Sequence, residues 1–282
     1  MKLAISSYSF HRFGEGPEGK ARPTFAAMID RCARLGIDGL ELLGVHFDST
    51  DLPEIHALKQ LAGQNGVQIV AVSAHHNFVT PDPVKRRQQI DVLCRWVDVA
   101  HELGAPVVRA FGGRWATRPR FAEFMAARGE EPPLDGYTED DGYAWSVEAF
   151  KIASYYAGRR GVTLALENHW GFTGTAAGVL RIVRGTDSPW LKVALDTGNF
   201  TLRPDQYAEM AEIAPYAMMV HAKTYVGGGM YYTADLDYPR IVRLLGEVGF
   251  RGYVSIEFEG KAHPDQGIPE SVAMLKAALA QG

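Results

Sequence analysis

Four apolar runs in this chain end on a side chain that does not belong in a hydrocarbon interior. They are Thr163-Leu164-Ala165-Leu166-Glu167, Leu191-Lys192-Val193-Ala194-Leu195-Asp196, Ala217-Met218-Met219-Val220-His221 and Val254-Ser255-Ile256-Glu257. Any one of them alone reads as a hydrogen-bonded polar group at a rim or in a core. A carboxylate or imidazole without a partner among buried aliphatics costs on the order of several kcal/mol, so four alike endings imply a common partner. A divalent cation is the economical one. Three carboxylates and one imidazole make a hard, mostly oxygen ligand set suited to Mn²⁺, Mg²⁺ or Co²⁺, and less to Zn²⁺.

The elements that must bring these residues together are legible in the alternation of strand-like runs with helix-period segments. Strands are expected at Leu3 to Ser9, Gly39 to Leu43, Val67 to Ala74, Val107 to Phe111, Thr163 to Glu167, Leu191 to Asp196, Ala217 to His221 and Val254 to Ile256. Helices are expected at Pro23 to Leu35, Pro53 to Gln64, Pro83 to Leu103, Trp145 to Arg159, Ala176 to Val183, Pro204 to Ile213, Tyr238 to Val248 and Pro269 to Ala280. A doubly wound open sheet can be built from the same alternation. Eight units in 282 residues, close to the roughly 250 usual for a (β/α)₈ barrel, favour a single closed α/β TIM barrel over residues 1–282. The exception is Gly112 to Asp141, rich in Arg, Phe, Gly and Pro, which reads as an inserted lid or as a homo-oligomer interface.

In such a barrel the C-terminal strand ends ring one mouth. Taking the last residue or so of each strand gives Ser7 or Tyr8, Glu41, His75, Arg109, Glu167, Asp196, His221 and Glu257. The net charge of −4 argues against a nucleic-acid or anionic-membrane partner. With no apolar run near the ~20 residues of a membrane span, a cytoplasmic enzyme is the default. Cys32 and Cys94 fall inside expected helices, far from a metal or redox spacing, and read as reduced core thiols.

Leu166-Glu167-Asn168-His169, Leu195-Asp196-Thr197-Gly198-Asn199, Val220-His221-Ala222-Lys223 and Gly249-Phe250-Arg251-Gly252-Tyr253-Val254-Ser255-Ile256-Glu257 resemble the metal-site motifs of the xylose-isomerase-like sugar phosphate isomerase/epimerase family. The resemblance runs over nearly the whole chain from Gly36. It implies that Glu167, Asp196, His221 and Glu257 ligate one divalent cation. It also implies that Glu167 and Glu257 flank the carbon of a sugar or polyol as acid/base partners, with an enediolate between the two proton transfers. Thr224 departs from the acid that many members carry beside the lysine.

Around this set, His169 and Glu259 follow Glu167 and Glu257 by two residues and share their face of the strand. His169, Arg109, Lys223, His75 and Trp115 are the candidate substrate binders. Arg109 reads equally as a structural partner of Glu41 or Glu167, Lys223 as a solvated loop lysine, and His75 as a rim histidine. His76 points to the other face as structure. Phe10, Phe13, Trp115 and Trp170 fall on loops where they could wall a sugar pocket.

Three rival readings are weighed. A DNA-repair endonuclease of the same superfamily needs extra zinc-binding histidines, yet Asn199 stands where one is required and no Asp-x-His follows His221. A lyase of the inosose-dehydratase kind would use the same metal site. A non-catalytic sugar-binding protein would not need all four ligands.

Overall fold

Strands buried on both faces must be nearly continuous in Val, Ile, Leu and Ala, and those of this chain are. The computed structural model describes residues 1–10, 23–127 and 129–281. Its strands are β1 (Lys2–Ser6), β2 (Gly39–Leu43), β3 (Gln68–Ser73), β4 (Val107–Phe111), β5 (Thr163–Glu167), β6 (Leu191–Asp196), β7 (Ala217–Thr224) and β8 (Tyr253–Phe258). Each pairs in parallel with the next, and β1 pairs with β8, which closes the barrel. The surrounding helices are α1 (Phe25–Arg34), α2 (Leu52–Gln64), α3 (Pro83–Leu103), α5 (Glu139–Arg159), α6 (Ala176–Thr186), α7 (Gln206–Ile213), α8 (Tyr238–Glu247) and α9 (Pro264–Leu279), with a short α4 (Phe121–Ala126) between β4 and α5.

The barrel interior is layered, because alternate strand residues point inward. Ala4, Ala71, Val107, Ala165, Ala194 and Met219 make a dry floor of mostly small side chains. There is no room for more: a Cβ on Gly39 would lie 2.8 Å from Ala4 Cβ and 2.8 Å from a Val70 methyl. Two residues further along each strand the interior turns polar. Aliphatics on the outer strand faces and the inner helix faces form the larger core.

Two helix starts differ from expectation. α5 opens at Glu139, not Trp145, because Thr138 and Asp141 form a reciprocal cap that satisfies the first backbone N–H groups. α9 opens at Pro264 behind His263, whose ring accepts from Asp265 N, and Pro269 sits inside the helix. The stretch between β4 and α5 therefore spans 112–138. It is held from within: the Glu131 carboxylate, 2% exposed, accepts from the Arg114 guanidinium and from the backbone N–H groups of Ala116 and Arg118. A single buried acid thus satisfies the backbone N–H groups of Ala116 and Arg118 ahead of α4.

Candidate metal centre

The register of the barrel places the polar side chains in two tiers. Phe111 lies beside Glu167, Asp196 beside His221, and Lys223 beside Glu257, so the upper tier is built from β5 to β8. Glu41 and Arg109 sit mid-strand rather than at strand ends, one tier lower, Glu41 beside Ala71 and Arg109 beside Ser73. The expected strand-end ring is corrected there.

Glu167, Asp196, His221 and Glu257 come together, all buried, with one ligand atom from each within 4.8 Å of the others. His221 Nδ1 lies 3.6 Å from Glu167, 3.9 Å from Asp196 and 3.5 Å from Glu257. Neither His221 Nδ1 nor Asp196 Oδ2 has a hydrogen-bond partner among the described residues. Two fully buried polar atoms without a hydrogen-bond partner, 3.9 Å apart in a set of hard donors, are what a metal ion satisfies. Atoms around one ion at about 2.1 Å stand up to about 4.2 Å apart, so the cluster needs only a small contraction to hold one.

Glu41 holds His221 in the orientation that a metal ligand needs. Its Oε1 lies 3.0 Å from His221 Nε2 and accepts also from the Ser73 hydroxyl, while its Oε2 accepts from Ser255 Oγ at 2.6 Å. With the proton on Nε2 donated to Glu41, the Nδ1 lone pair faces the cluster. Of the two partners that the sequence offers Arg109, Glu41 and Glu167, the first is taken by His221 and the serines. Arg109 instead turns to Glu167, with Nε 3.3 Å from Oε2 and poorly aligned for a hydrogen bond, donates to the Ala74 carbonyl, and lies over the Phe111 ring. The sequence carried a signal for Glu41: Ser73 and Ser255 are hydroxyls at inward positions of otherwise aliphatic strands and need an acceptor.

Lys223 is buried, not solvated. Its ammonium donates to Glu257 at 2.8 Å and Glu259 at 2.9 Å and lies 3.2 Å from Asp196 Oδ2, without hydrogen-bond alignment in the last case. Its stem packs so closely on Gly198 that a Cβ there would stand 2.5 Å from Lys223 Cδ. Asn199 was read from sequence only as a histidine that is missing. It donates to Glu167 at 3.1 Å and to the Asn168 carbonyl at 3.0 Å. The turn Asp196-Thr197-Gly198-Asn199 folds it back, because Asp196 Oδ1 accepts from the N–H groups of Gly198 and Asn199.

A cavity of about 350 Å³ opens on this cluster, and Tyr8, His75, Arg109, His169, Lys223 and Glu259 line it with Glu167 and Glu257. Tyr231 and Tyr232 complete its walls, unforeseen. Ser7 is structural, bonded to His46 and Leu43. Phe10 is buried in the core, Phe13 lies outside the described residues, and His76 accepts from Phe111 N between Phe78 and Phe150. Trp115 does not reach this cavity; it lines a neighbouring one.

Burial and charge set the protonation. Burial, seconded by the Arg109 charge, pushes His75 down to about 3; burial pushes His169 down to about 4, so both are neutral near pH 7. Burial would lower His221 too, but Glu257 and Glu41 outweigh it and hold the imidazolium well above the usual histidine range. Burial raises Asp196 well above ordinary carboxylates, Glu257 and Glu167 adding to the effect against Lys223. For Glu167 the burial cost is overcome by Arg109 and His221, and its pKa falls well below the usual value.

In the ion-free cluster the surrounding acids favour a proton on His221 and burial favours one on Asp196, so an incoming cation competes with protons for the same atoms. Metal uptake should therefore release protons, so affinity rises with pH. Calorimetry at one pH in buffers of different ionisation heats measures this directly. A buffer-independent heat would show that no proton leaves. We further expect Glu41→Gln to weaken metal binding roughly 10–100-fold, and Asp196→Asn or His221→Ala to weaken it more, with the fold kept. Wild-type metal content in the last two, measured on purified protein, would contradict the centre.

Residues 29–278 match the family model described as xylose isomerase-like TIM barrel. The chain belongs to that family. Among solved structures it is similar to L-ribulose 3-epimerase, at TM-score 0.76 and 18% identity over 99% of this chain and 95% of that one. It is similar to 3-keto-D-glucoside 4-epimerase from E. coli, at 0.75 and 15% over 98% and 99%. The probable 3-DHS dehydratase involved in petrobactin synthesis from Bacillus anthracis stands at 0.73 and 15% over 98% and 99%. At these identities the likeness is one of fold. A curated relative, the C-glycoside deglycosidase alpha subunit of Arthrobacter globiformis, is 38% identical over 68 residues. That match takes in 24% of this chain and 19% of the relative's length. No helix among the described residues is long and apolar enough to cross a membrane.

Proposed function

We propose that this chain is a divalent-metal-dependent isomerase or epimerase of a ketose or related sugar or polyol, with Glu167 and Glu257 exchanging roles as base and acid. The observation that carries the reading is that these two glutamates belong both to the four-residue cluster and to the wall of the cavity that opens on it. The charge count favours a divalent ion. Glu41, Glu167, Asp196, Glu257 and Glu259 are five buried carboxylates against two buried permanent cations, Arg109 and Lys223. Mn²⁺ suits the hard donor set best, with Mg²⁺, Co²⁺ or Zn²⁺ as alternatives.

When bound, the ion supplies Lewis-acid polarisation of a carbonyl and its neighbouring hydroxyl. The protein supplies the rest. Glu257, anchored through Oε2 on Lys223, and Glu167, anchored by Arg109 and Asn199, are positioned to take the proton from a substrate carbon and return one to it. Base and acid on opposite faces invert a centre; one carboxylate carrying the proton between adjacent carbons isomerises. Neutral His75 and His169 offer both a donor and an acceptor to sugar hydroxyls. Phe111 and Trp170 present apolar ring surface to the same space and exclude water. The fold neighbours named as epimerases of L-ribulose and of a 3-keto-D-glucoside agree with this reading.

Incubating the metal-loaded protein with ketoses and inososes in D₂O tests it. Deuterium should enter one carbon of the accepted substrate, next to the carbonyl. The same exchange followed by loss of water assigns the lyase reading, which shares the cluster and has a dehydratase among the fold neighbours. No exchange with any member of the panel by a metal-replete protein overturns both.

A further inference from the structure

Beside the cavity over the cluster lies a second one of about 360 Å³, and Trp170 and Asn199 stand in the walls of both. An occupant of the second cavity is thus one side chain away from the reacting groups: Asn199 is bonded to Glu167, and the Trp170 ring is 5.0 Å from His169.

The second cavity is walled by aromatic faces and rimmed by charge. Trp115 is 6% exposed and packs edge-on against Phe172, ring centroids 5.2 Å apart. Trp170 is held on its far side by Phe124 of α4, at 5.2 Å. Glu139, Leu202 and Arg203 lie at the lining. Flat apolar faces beside charged hydrogen-bonding groups suit a ring, and they suit neither a phosphate nor an alkyl chain.

This wall is also fixed in place. Trp115 is flanked by Arg114 and Ala116, and both of these bond to the buried Glu131 carboxylate. Asn77, in the loop after β3, donates to the Arg114 carbonyl and accepts from the Arg114 N–H, and this ties the wall to the barrel as one side of a preformed site. Each cavity alone is near the lower end of the roughly 300–1,000 Å³ typical of small-ligand sites. A free monosaccharide over the cluster leaves the second space unfilled.

We infer that the substrate is a glycoside whose reacting ring carries its carbonyl at a carbon other than the anomeric one, with that ring over the cluster and a second ring, joined to it through the glycosidic position, in the cavity of Trp115, Trp170 and Phe172. This rests on the isomerase or epimerase reading for the identity of the first ring. It goes beyond that reading in assigning Trp115, Leu202 and Arg203, none of them in the four-residue cluster, to substrate selection.

The test is binding, not turnover. Methyl, phenyl and glucosyl glycosides of D-glucose, D-galactose and D-mannose, which carry a hydroxyl where the reacting ring would carry its carbonyl and so bind without reacting, are titrated by calorimetry into the metal-replete protein. In at least one set the two-ring member should bind at least tenfold more tightly than its methyl partner. A larger gain with phenyl assigns an aryl aglycone, and a larger gain with glucosyl a second sugar. Leu202→Trp, which fills the cavity from its exposed edge, should bring that ratio close to one, and Arg203→Ala should lower it at least threefold. Ratios near one in all three sets, including no measurable binding of either member, overturn the inference. So does a ratio that survives both substitutions. Exchange in D₂O with equal binding would sink only the second-ring claim; the ratio without exchange would sink only the isomerase or epimerase reading.

Discussion

Glu257→Gln and Glu167→Gln should each keep part of the bound metal and lose about 10²–10⁴-fold in kcat. The amide retains one oxygen for the ion and the size of the side chain, but not the basicity. The surroundings sharpen the expectation. Glu257 presents one oxygen to His221 Nδ1 at 3.5 Å and the other to Lys223 at 2.8 Å. Glu167 has Oε1 on Asn199 at 3.1 Å and Oε2 near Arg109 at 3.3 Å. Each glutamate is thus held through contacts of its own, so the two losses should be separable. For a two-base epimerase, the variant lacking the base for one epimer should fail to exchange that epimer's C–H with solvent while still exchanging the other's. If both variants exchange every accepted substrate at near wild-type rates, the two-carboxylate mechanism is wrong, and His169 or Lys223 becomes the base to examine.

Lys223→Met should destabilise the ion-free protein by roughly 3–5 kcal/mol at pH 7. The lysine lies among three buried carboxylates, and their charges hold its ammonium far above its ordinary pKa against the cost of burial. Without it, the folded variant avoids a bare buried charge by binding a proton among those acids. The folded-state carboxyl pKa is then raised above the unfolded value. Stability contributed by such a group is fully present below the unfolded pKa, near 4, and is lost as pH rises through the folded one. The penalty should therefore be small near pH 4 and grow by about 1.4 kcal/mol per pH unit above it until the folded pKa is reached. At roughly 2 °C per kcal/mol for a chain of this size, Tm should drop by about 6–10 °C at pH 7. Thermal scans of both proteins in chelator at pH 5 and pH 7 measure this. A bound cation neutralises the same carboxylates, so adding metal should shrink the difference. Equal Tm values at both pH values would mean that Lys223 is not the charge balancing this cluster.

What the linear chain settled by itself is what depends on local pattern. The alternation of β-branched runs with amphipathic segments led to eight parallel units, because periods of 2 and 3.6 are imposed by backbone geometry at short range. The incongruous endings at Glu167, Asp196, His221 and Glu257 pointed to one site because burial makes an isolated charge expensive wherever it stands. Helix starts were less secure. Pro269 mimicked a first-turn proline, and the Thr138 cap lay hidden in a segment whose composition resembles a loop.

Only the tertiary structure decided which charges face which. Strand ends can be guessed from sequence to within a residue or two, but a tier in the barrel is two residues, so Glu41 and Arg109 were placed one level too high. The level decides between the two partners that the sequence offers Arg109: Glu41 meets His221, and Arg109 meets Glu167. The burial of Lys223 likewise depends on β7 running on to Thr224 beside β8, and on the absence of a side chain at Gly198. Trp115, a plausible pocket wall in sequence, was sent to a separate cavity by the bonds of Glu131, an acid that nothing in its local sequence distinguishes. Contacts of this kind join residues far apart in the chain, and their energies depend on distances of a few ångströms that only packing defines.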